Sequence, residues 1–213
     1  MMSGAWPCAL LSITISRLLG WVFFCAMVTG SAGHAGESRE LGKAVFAGGC
    51  FWCMEEAFEG VEGVVSVTSG YTGGHVANPS YEQVSAGITG HAESVEVVFD
   101  PTKVSYGQLL KVFWRNIDPT TPDQQFCDHG AQYRSAIFYQ DEQQKRLAEE
   151  SKRAVEQSKP FKAPIVTQIV PASAFYAAEE YHQDFYKKNP IRYKFYKFNC
   201  GRAQRLQELW GKS

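Results

Sequence analysis

An apolar strand that runs into two glycines and then into a helix is the feature that most constrains the fold of this chain. Residues 43–47 form the strand candidate, Gly48-Gly49 breaks it, and apolar residues recur at helical spacing from Cys50 to Phe58. Cys50 therefore opens a helix directly after a strand. Strand and helix candidates alternate along the rest of the chain, which favours a single α/β or α+β layer sandwich.

Four further strand candidates and three further helix candidates follow, most of them bounded by turn residues. The strands are residues 64–69, 95–99, 135–139 and 165–170. The helices are residues 105–114, opened by a capping-box pattern, 141–157 and 173–188. The stretch from about residue 190 to 213 carries Cys200 and no strong pattern, so we expect a coil-rich C-terminal tail.

The first 35 residues form a different kind of sequence. Arg17 is their one charged side chain, and it precedes the apolar run from Leu18 to Val28 and a stretch of small residues. This order is typical of a secretory signal peptide, and the run is shorter than the roughly 18 to 20 residues of a spanning helix. We therefore expect a signal peptide over 1–35, a single catalytic domain over 36–213 and export to the bacterial periplasm, with no stable membrane insertion after cleavage. A membrane tether through an uncleaved N-terminal segment is the alternative.

Charge and cysteine content limit the function classes. The 21 Lys and Arg against 22 Asp and Glu give a formal charge of -1, which offers nucleic acid no electrostatic attraction. Beyond residue 35 the chain keeps Cys50, Cys53, Cys127 and Cys200. In an oxidising compartment free thiols persist only if something reduces them, so we expect a thioredoxin-like protein or a membrane dithiol relay as a partner.

Cys50 and Glu93 carry the strongest chemical signals. At the start of a helix the backbone N–H groups and the helix dipole favour a thiolate, so we expect a lowered pKa for Cys50. Ionisation of the Cys50 thiol by itself increases its reactivity only a little, because the nucleophilicity of a thiolate falls as its pKa falls. A reaction at Cys50 therefore also needs a proton donor for the leaving group. Counting by twos from Val95 places Glu93 on the apolar side of its strand, where burial would raise its pKa. A strand-end glutamate turned to solvent is the alternative.

Several aromatic residues border these positions. Tyr81 and Tyr133 lie next to turns, where a phenol can point into a cleft and donate to an oxygen. Phe51 and Trp52 flank Cys50 and are candidates for an apolar pocket, with core packing as the alternative. His91 is interpreted as structural. A later stripe is interpreted as core: Phe175, Tyr176, His182, Phe185 and Tyr186.

Six motifs in order give the chain a family likeness. They are Gly48-Gly49-Cys50-Phe51-Trp52, Gly70-Tyr71-Thr72-Gly73-Gly74, Asn78-Pro79-Ser80-Tyr81, Gly90-His91-Ala92-Glu93, Gln132-Tyr133-Arg134-Ser135 and Glu179-Glu180-Tyr181-His182-Gln183. Together they resemble a peptide methionine sulfoxide reductase of the A type, from about Lys43 to Gly211. The resemblance implies a mixed central sheet with flanking helices and a ferredoxin-like core. It also implies a monomer with no metal or prosthetic cofactor, reduced by an external dithiol such as thioredoxin.

The resemblance also implies roles for individual residues. Cys50 matches the nucleophile that attacks the sulfur of methionine (S)-sulfoxide, in proteins or free, and Glu93 matches the general acid. Tyr81 and Tyr133 match two phenols that hydrogen-bond the sulfoxide oxygen, and Asp128 matches a polar residue of the site. Phe51 and Trp52 match the pocket for the methyl group.

A second thiol must condense with the sulfenic acid formed on Cys50. We expect Cys200 in this resolving role, because the following Gly201 lets a terminal segment swing toward the site. Cys53 is the alternative, since a Cys-x-x-Cys pair at a helix start can close on itself. Cys127 is interpreted as a bystander near the cleft.

Two other classes of protein remain open at this point. An exported thioredoxin-like thiol-disulfide carrier would suit a strand, Gly-Gly, Cys-Phe-Trp-Cys and helix, although it leaves Glu93 and Tyr133 without a role. A structural zinc site is the other class, because four thiolates suffice chemically, although a second Cys-x-x-Cys is missing. Turnover of methionine sulfoxide would distinguish a reductase from the thioredoxin-like carrier. Elemental analysis that finds stoichiometric zinc would support the structural zinc site.

Overall fold

The computed structural model describes residues 40–211, and a six-stranded sheet lies at the centre of this part of the chain. The strands are β1 (Gly42–Gly48), β2 (Val64–Thr72), β3 (Ala92–Phe99), β4 (Gln124–Gln125), β5 (Asp128–His129), β6 (Ser135–Tyr139), β7 (Gln168–Pro171) and β8 (Tyr176–Ala177). The helices are α1 (Phe51–Glu59), α2 (Tyr81–Ser85), α3 (Tyr106–Arg115), α4 (Glu142–Ser158), α5 (Phe185–Lys188), α6 (Pro190–Asn199) and α7 (Arg202–Trp210). The signal peptide expected over 1–35 lies outside the described residues.

The strand order identifies the core of the sheet. The order is β7-β6-β1-β3-β2-β8, and β4 and β5 form a separate two-stranded ribbon. The inner four strands, β6-β1-β3-β2, are antiparallel to their neighbours, with α1 between β1 and β2 and α3 between β3 and β6. This is the βαββαβ arrangement of a ferredoxin-like core. β7 adds a parallel edge to β6, so the predicted mixed sheet with flanking helices is confirmed.

The central strand β1 is buried on both faces, which explains why it reads as a continuous apolar run. On one face the Phe46 ring stacks on Phe58 of α1 at 5.0 Å and on Phe113 of α3 at 5.2 Å. On the other face Val45 packs in a cluster with Phe138. Both helices are therefore anchored on the strand that leads into Cys50.

One local prediction holds and one fails. The capping box at the start of α3 is present, because the Ser105 side chain accepts from Gln108 N–H and the Gln108 side chain accepts from Ser105 N–H. The helix predicted over 173–188 is wrong, because that segment pairs as β8 with the edge of β2. Gln183 then satisfies the Ser69 backbone with two 2.9 Å hydrogen bonds, so tertiary contacts override helix propensity.

The coil-rich C-terminal tail is also a wrong expectation, because residues 190–210 form α6 and α7. Pro190 at the start of α6 has a fixed φ that suits a first helical turn. Gly201, with φ of +68°, supplies the left-handed break between the two helices. Buried Arg202 donates to the Asn116 carbonyl at 2.5 Å and ties α7 to the end of α3. Among the described residues, no helix is both long enough and apolar enough to cross a membrane.

Candidate active site

A cavity of about 250 Å³ opens beside Cys50 at the start of α1. All seven residues predicted for catalysis and substrate binding line it, together with two residues of α6. They are Cys50, Phe51, Trp52, Tyr81, Glu93, Asp128 and Tyr133, with Arg192 and Tyr196. Larger hollows lie against α4 and against α7, and neither is lined by a thiol. The fold therefore brings the predicted set together in one place.

A tight turn aims Cys50 at this cavity. Gly49 has φ of +80°, and a Cβ there would lie 2.4 Å from the Gln125 side chain, so only glycine fits. Cys50 is the residue that caps α1, and its carbonyl accepts from the N–H groups of Cys53 and Met54. The strand, glycine turn and helix predicted from the sequence are confirmed here, and they place a thiol at the helix N-terminus.

The thiols of Cys50 and Cys53 share a hydrogen bond inside the protein. Burial raises the pKa of Cys50, which is 5% exposed, and its neighbours Cys53 and Glu93 raise it further. The hydrogen bond from Cys50 lowers the pKa of Cys53 to about 6, against burial and with help from the positive charge of Arg202. The predicted lowering of the Cys50 pKa is therefore wrong, because burial outweighs the effect of the helix terminus.

Glu93 is a buried acid that faces the same cavity. It is 3% exposed, and the Phe51 N–H donates to its Oε2 at 3.1 Å. Burial raises its pKa to about 8, the Phe51 N–H opposes this, and the charges of Asp128 and Cys53 add to it. The expected burial and raised pKa of Glu93 are confirmed. At pH 7 about 90% of such a group is protonated, against about 0.3% at its ordinary pKa of 4.5.

Two phenols complete the polar side of the cavity. Burial, followed by the nearby charge of Glu93, raises the pKa of Tyr81 to about 12 and raises that of Tyr133 as well. Both hydroxyls therefore stay protonated and can donate to an oxygen. Glu179 holds Tyr81 in place by accepting from its backbone N–H at 2.9 Å, and it also accepts from the Tyr71 hydroxyl at 2.8 Å.

Comparison with known proteins identifies this arrangement. The family model described as peptide methionine sulfoxide reductase matches residues 42–213. The chain belongs to the peptide methionine sulfoxide reductase family. MsrA of Bacillus licheniformis is 52% identical over 176 residues, which are 83% of this chain and 96% of that protein. MsrA of Bacillus subtilis is 51% identical over 175 residues, which are 82% of this chain and 98% of that protein.

Solved structures of the family share the fold. Mxr1 of Saccharomyces cerevisiae in its reduced form matches with a TM-score of 0.68 and 31% identity, over 73% of this chain and 89% of Mxr1. Methionine sulfoxide reductase A of Corynebacterium diphtheriae matches with a TM-score of 0.64 and 33% identity, over 73% and 78% of the two chains. The predicted family and the predicted α+β fold are both confirmed.

Membership in this family sets the overall reaction. The reductase converts methionine (S)-sulfoxide to methionine, forms a disulfide in doing so, and is regenerated by a thioredoxin-type dithiol without a prosthetic cofactor. A thioredoxin-like carrier has no support, since the matching family and folds are those of the reductase. The predicted enzyme class, a peptide-methionine (S)-S-oxide reductase, is confirmed.

Within residues 40–211, the two cysteines that lie outside the Cys-x-x-Cys pair are joined to each other. Cys127 and Cys200 form a disulfide, while Cys50 and Cys53 are free and buried. The interpretation of Cys127 as a bystander is wrong, because it bonds covalently to the end of α6. The zinc alternative also loses its ligands, since two of the four thiols that it needs are consumed in this bond.

Sequence reasoning missed the contribution of α6 to the reductase site. The Tyr196 hydroxyl donates to Asp128 Oδ2 at 2.5 Å and hydrogen-bonds the Cys50 thiol. One turn earlier, the Tyr193 hydroxyl donates to Glu56 at 2.6 Å and hydrogen-bonds Cys53. The spacing of Tyr193 and Tyr196 was the available signal, but the charged residues between the aromatics of α6 break its apolar period.

His182 contributes more than core packing. The Trp52 Nε1–H donates to His182 Nδ1 at 3.1 Å, and the same ring lies 4.4 Å from the Tyr81 ring. Trp52 also stacks on Phe185 with centroids 3.7 Å apart. His182 thus orients the predicted methyl-pocket wall. His91 is structural as predicted, because its Nδ1 accepts from Gly74 N–H and its Nε2 bonds the Val76 carbonyl.

Proposed function

We propose that Cys50 attacks the sulfur of methionine (S)-sulfoxide while Glu93 gives its proton to the departing oxygen. The observation that carries this proposal is the shared cavity, where a thiol and a protonated buried carboxyl face the same space. The attack forms an S–S bond between Cys50 and the substrate sulfur, and the S–O bond breaks as Glu93 protonates the oxygen, which departs as hydroxide. The hydroxide then attacks the Cys50 sulfur, so the S–S bond breaks and methionine leaves with its electron pair. Cys50 becomes a sulfenic acid, so the two electrons gained by the substrate sulfur come from the Cys50 sulfur.

The same geometry supplies the thiolate. Cys53 carries the negative charge of the pair and shares a hydrogen bond with Cys50. A proton that moves along this bond from Cys50 to Cys53 makes Cys50 the thiolate at the moment when substrate enters. Cys53 thus serves as the local base of the first step, and it becomes a neutral thiol.

The other side chains hold the substrate. The hydroxyls of Tyr81 and Tyr133 donate to the sulfoxide oxygen, and the S-methyl group packs against Phe51 and Trp52. Asp128 is the remaining polar group of the site. Because the Phe51 N–H occupies Oε2 of Glu93, the proton is best carried by its other oxygen.

Cys53 is the resolving thiol that this geometry favours over Cys200. The Cys53 thiol is free and packs in the same buried cluster as Cys50, whereas Cys200 is bonded to Cys127. The Cys53 thiol attacks the Cys50 sulfenic acid, which releases water and forms a Cys50–Cys53 disulfide. This changes the first choice made from the sequence and adopts its alternative.

Peptide mapping of the oxidised enzyme tests this assignment. Enzyme is treated with one equivalent of methionine sulfoxide without reductant, quenched with an alkylating reagent, digested and analysed by mass spectrometry. A 50–53 linkage is expected, and a Cys53→Ser variant should form the first equivalent of methionine more slowly than the parent, because it lacks the local base, and should then stop at the sulfenic acid. A linkage between Cys50 and Cys200 in the parent would overturn the assignment.

We further propose that the enzyme is exported. The support is the sequence order of the first 35 residues, together with a Cys127–Cys200 bond, which persists in an oxidising compartment. The electrons then come from a thioredoxin-like protein or a membrane dithiol relay on that side of the membrane. N-terminal sequencing of the protein recovered from the periplasm tests this, and an intact Met1 in the cytosolic fraction would refute it.

We also propose that oxidised proteins and free methionine sulfoxide are both substrates of a monomeric enzyme. The cavity volume of about 250 Å³ suits one oxidised methionine side chain, which is the part that the two kinds of substrate share. Light scattering coupled to size-exclusion chromatography tests the monomer. Parallel assays on free and peptide-bound methionine sulfoxide test the substrate range.

A further inference from the structure

We propose that the Cys127–Cys200 disulfide positions the active site by keeping the Tyr196–Asp128 hydrogen bond in place beside the Cys50 thiol. The inference rests on the proposed role of Cys50 as the nucleophile. The bond joins two segments that are 73 residues apart in sequence, the β5 region and the end of α6. Both segments contribute a side chain to the cavity.

Each half of the bond lies next to one partner of a single hydrogen bond. Cys127 directly precedes Asp128, and its backbone N–H donates to the Cys200 sulfur at 3.2 Å. Cys200 follows Tyr196 by one helical turn, and its N–H donates to the Tyr196 carbonyl at 2.9 Å. The Tyr196 hydroxyl then donates to Asp128 at 2.5 Å, and this closes a ring that contains the covalent bond.

The position of α6 makes such an attachment necessary. Only one side of the helix packs on the protein, through Tyr193 and through Lys197, which pairs with Glu56. Its outer side leaves Phe195 and Phe198 exposed to solvent. A covalent link at the end of a helix that is covered on one side limits how far Tyr196 can move from the cavity.

The β5 segment also lacks regular support. β5 is two residues long and pairs only with the two-residue β4. Phe126 has φ of +55°, and the guanidinium of Arg202 lies 4.4 Å from the centre of its ring. That contact involves neither Asp128 nor Tyr196, so the disulfide is the covalent link between the segments that carry these two residues, and it supports their hydrogen bond.

An electron-relay role for the same bond makes a different demand. A relay would act after methionine has left, when an external dithiol reduces the enzyme. A positioning role acts on the step that forms methionine. Single-turnover measurements without reductant separate the two, because they end before any electrons enter the protein.

The test measures methionine formed in one turnover by the full-length chain. The parent protein is prepared with Cys50 and Cys53 reduced and the Cys127–Cys200 bond intact, as verified by differential alkylation and peptide mapping. It is compared with the Cys127→Ser/Cys200→Ser and Tyr196→Phe variants and with the variant that combines all three changes. We expect the loss of the bond to slow the step about 10- to 100-fold, the range typical of small misplacements. The combined variant should lose far less than the product of the separate losses, because both changes act on one contact.

A second readout reports on the Cys50 thiol itself. The hydrogen bond from Tyr196 lowers the pKa of Cys50, so its loss should move the midpoint of Cys50 alkylation to higher pH. We expect the same direction of shift in Tyr196→Phe and in the double serine variant. Ser105→Ala, which removes the capping box of α3 on the other side of the core, serves as a control for destabilisation and should leave the midpoint unchanged.

The same comparison is possible without mutation. When Cys50, Cys53, Cys127 and Cys200 are all reduced, the parent protein should form methionine in a single turnover as slowly as the double serine variant does. A double serine variant that forms methionine at the parent rate and loses only thioredoxin-driven cycles would refute the positioning role. Methionine formation by a Cys50→Ser variant would instead refute the proposed function on which the inference rests.

Discussion

The Glu93→Gln substitution tests the acid that the structure buries beside Cys50. The amide has almost the same shape as the carboxyl, and its oxygen can still accept from the Phe51 N–H. In the parent, this N–H donates to Glu93 Oε2 at 3.1 Å. What the variant loses is the proton. Binding of substrate should therefore change little while the chemical step slows.

The size of the effect follows from the environment of Glu93. A pKa of about 8 leaves about 90% of the carboxyl protonated at pH 7, roughly 300 times more than a pKa of 4.5 would leave. A positioned general acid contributes about 10²- to 10⁴-fold to a proton-transfer step. We expect the single-turnover rate of Glu93→Gln to fall by that factor at pH 7.

The pH dependence of the single-turnover rate provides a second test of the role of Glu93. The active form of Glu93 is protonated, so its contribution is present at low pH and is lost as the pH rises through about 8. The Cys50–Cys53 pair must carry a negative charge, which is lost as the pH falls through about 6. The parent rate should therefore be bell-shaped between these values, and Glu93→Gln should lose the alkaline limb.

Glu55→Gln is the matched control. Glu55 is also buried, and burial raises its pKa to about 7, but it bonds Ser69 and the Asp184 N–H and does not line the cavity. The assay quantifies methionine from a rapid-quench single turnover by liquid chromatography. A Glu93→Gln enzyme that matches the parent rate, or a Glu55→Gln enzyme that slows as much, would refute the reasoning.

Three further predictions concern the supports of the site. Replacing His182 with Phe leaves the Trp52 N–H without its acceptor, so KM for methionine sulfoxide should rise about fivefold or more with a smaller change in kcat. His182→Asn should restore part of the lost affinity. An equal change in both constants would contradict this prediction. The Cys127→Ser/Cys200→Ser variant should lose about 4 kcal/mol of unfolding free energy in urea, the loop-closure value for 73 residues, and an unchanged midpoint would contradict it. Gly49→Ala should destabilise the fold by more than about 1 kcal/mol and disturb Cys50, because φ is +80° and the new Cβ would lie 2.4 Å from the Gln125 side chain of β4. Thermal melting checks this, and a variant as stable as the parent would contradict it.

Local sequence patterns were sufficient for the elements that carry Cys50 and Glu93. A continuous apolar run followed by two glycines specifies a buried strand and a turn that other residues cannot form, and this places Cys50 at a helix start. The period of two along β3 puts Glu93 on the apolar face, and burial there is enough to raise its pKa. Both inferences need only neighbours within a few residues, which is why the sequence by itself determined them.

Long-range contacts decided the rest. The segment over 173–188 has helical composition but pairs with the edge of β2, and α6 lacks an apolar period because its partners are thiols and acids of distant elements. The raised pKa of Cys50, and the bond between Cys127 and Cys200, depend on side chains that meet only after the chain has folded. Desolvation and proximity act through space, so the placement of Cys50 and Glu93 followed from the sequence, whereas the pKa shifts of these two groups and the side chains that support them followed from the tertiary structure.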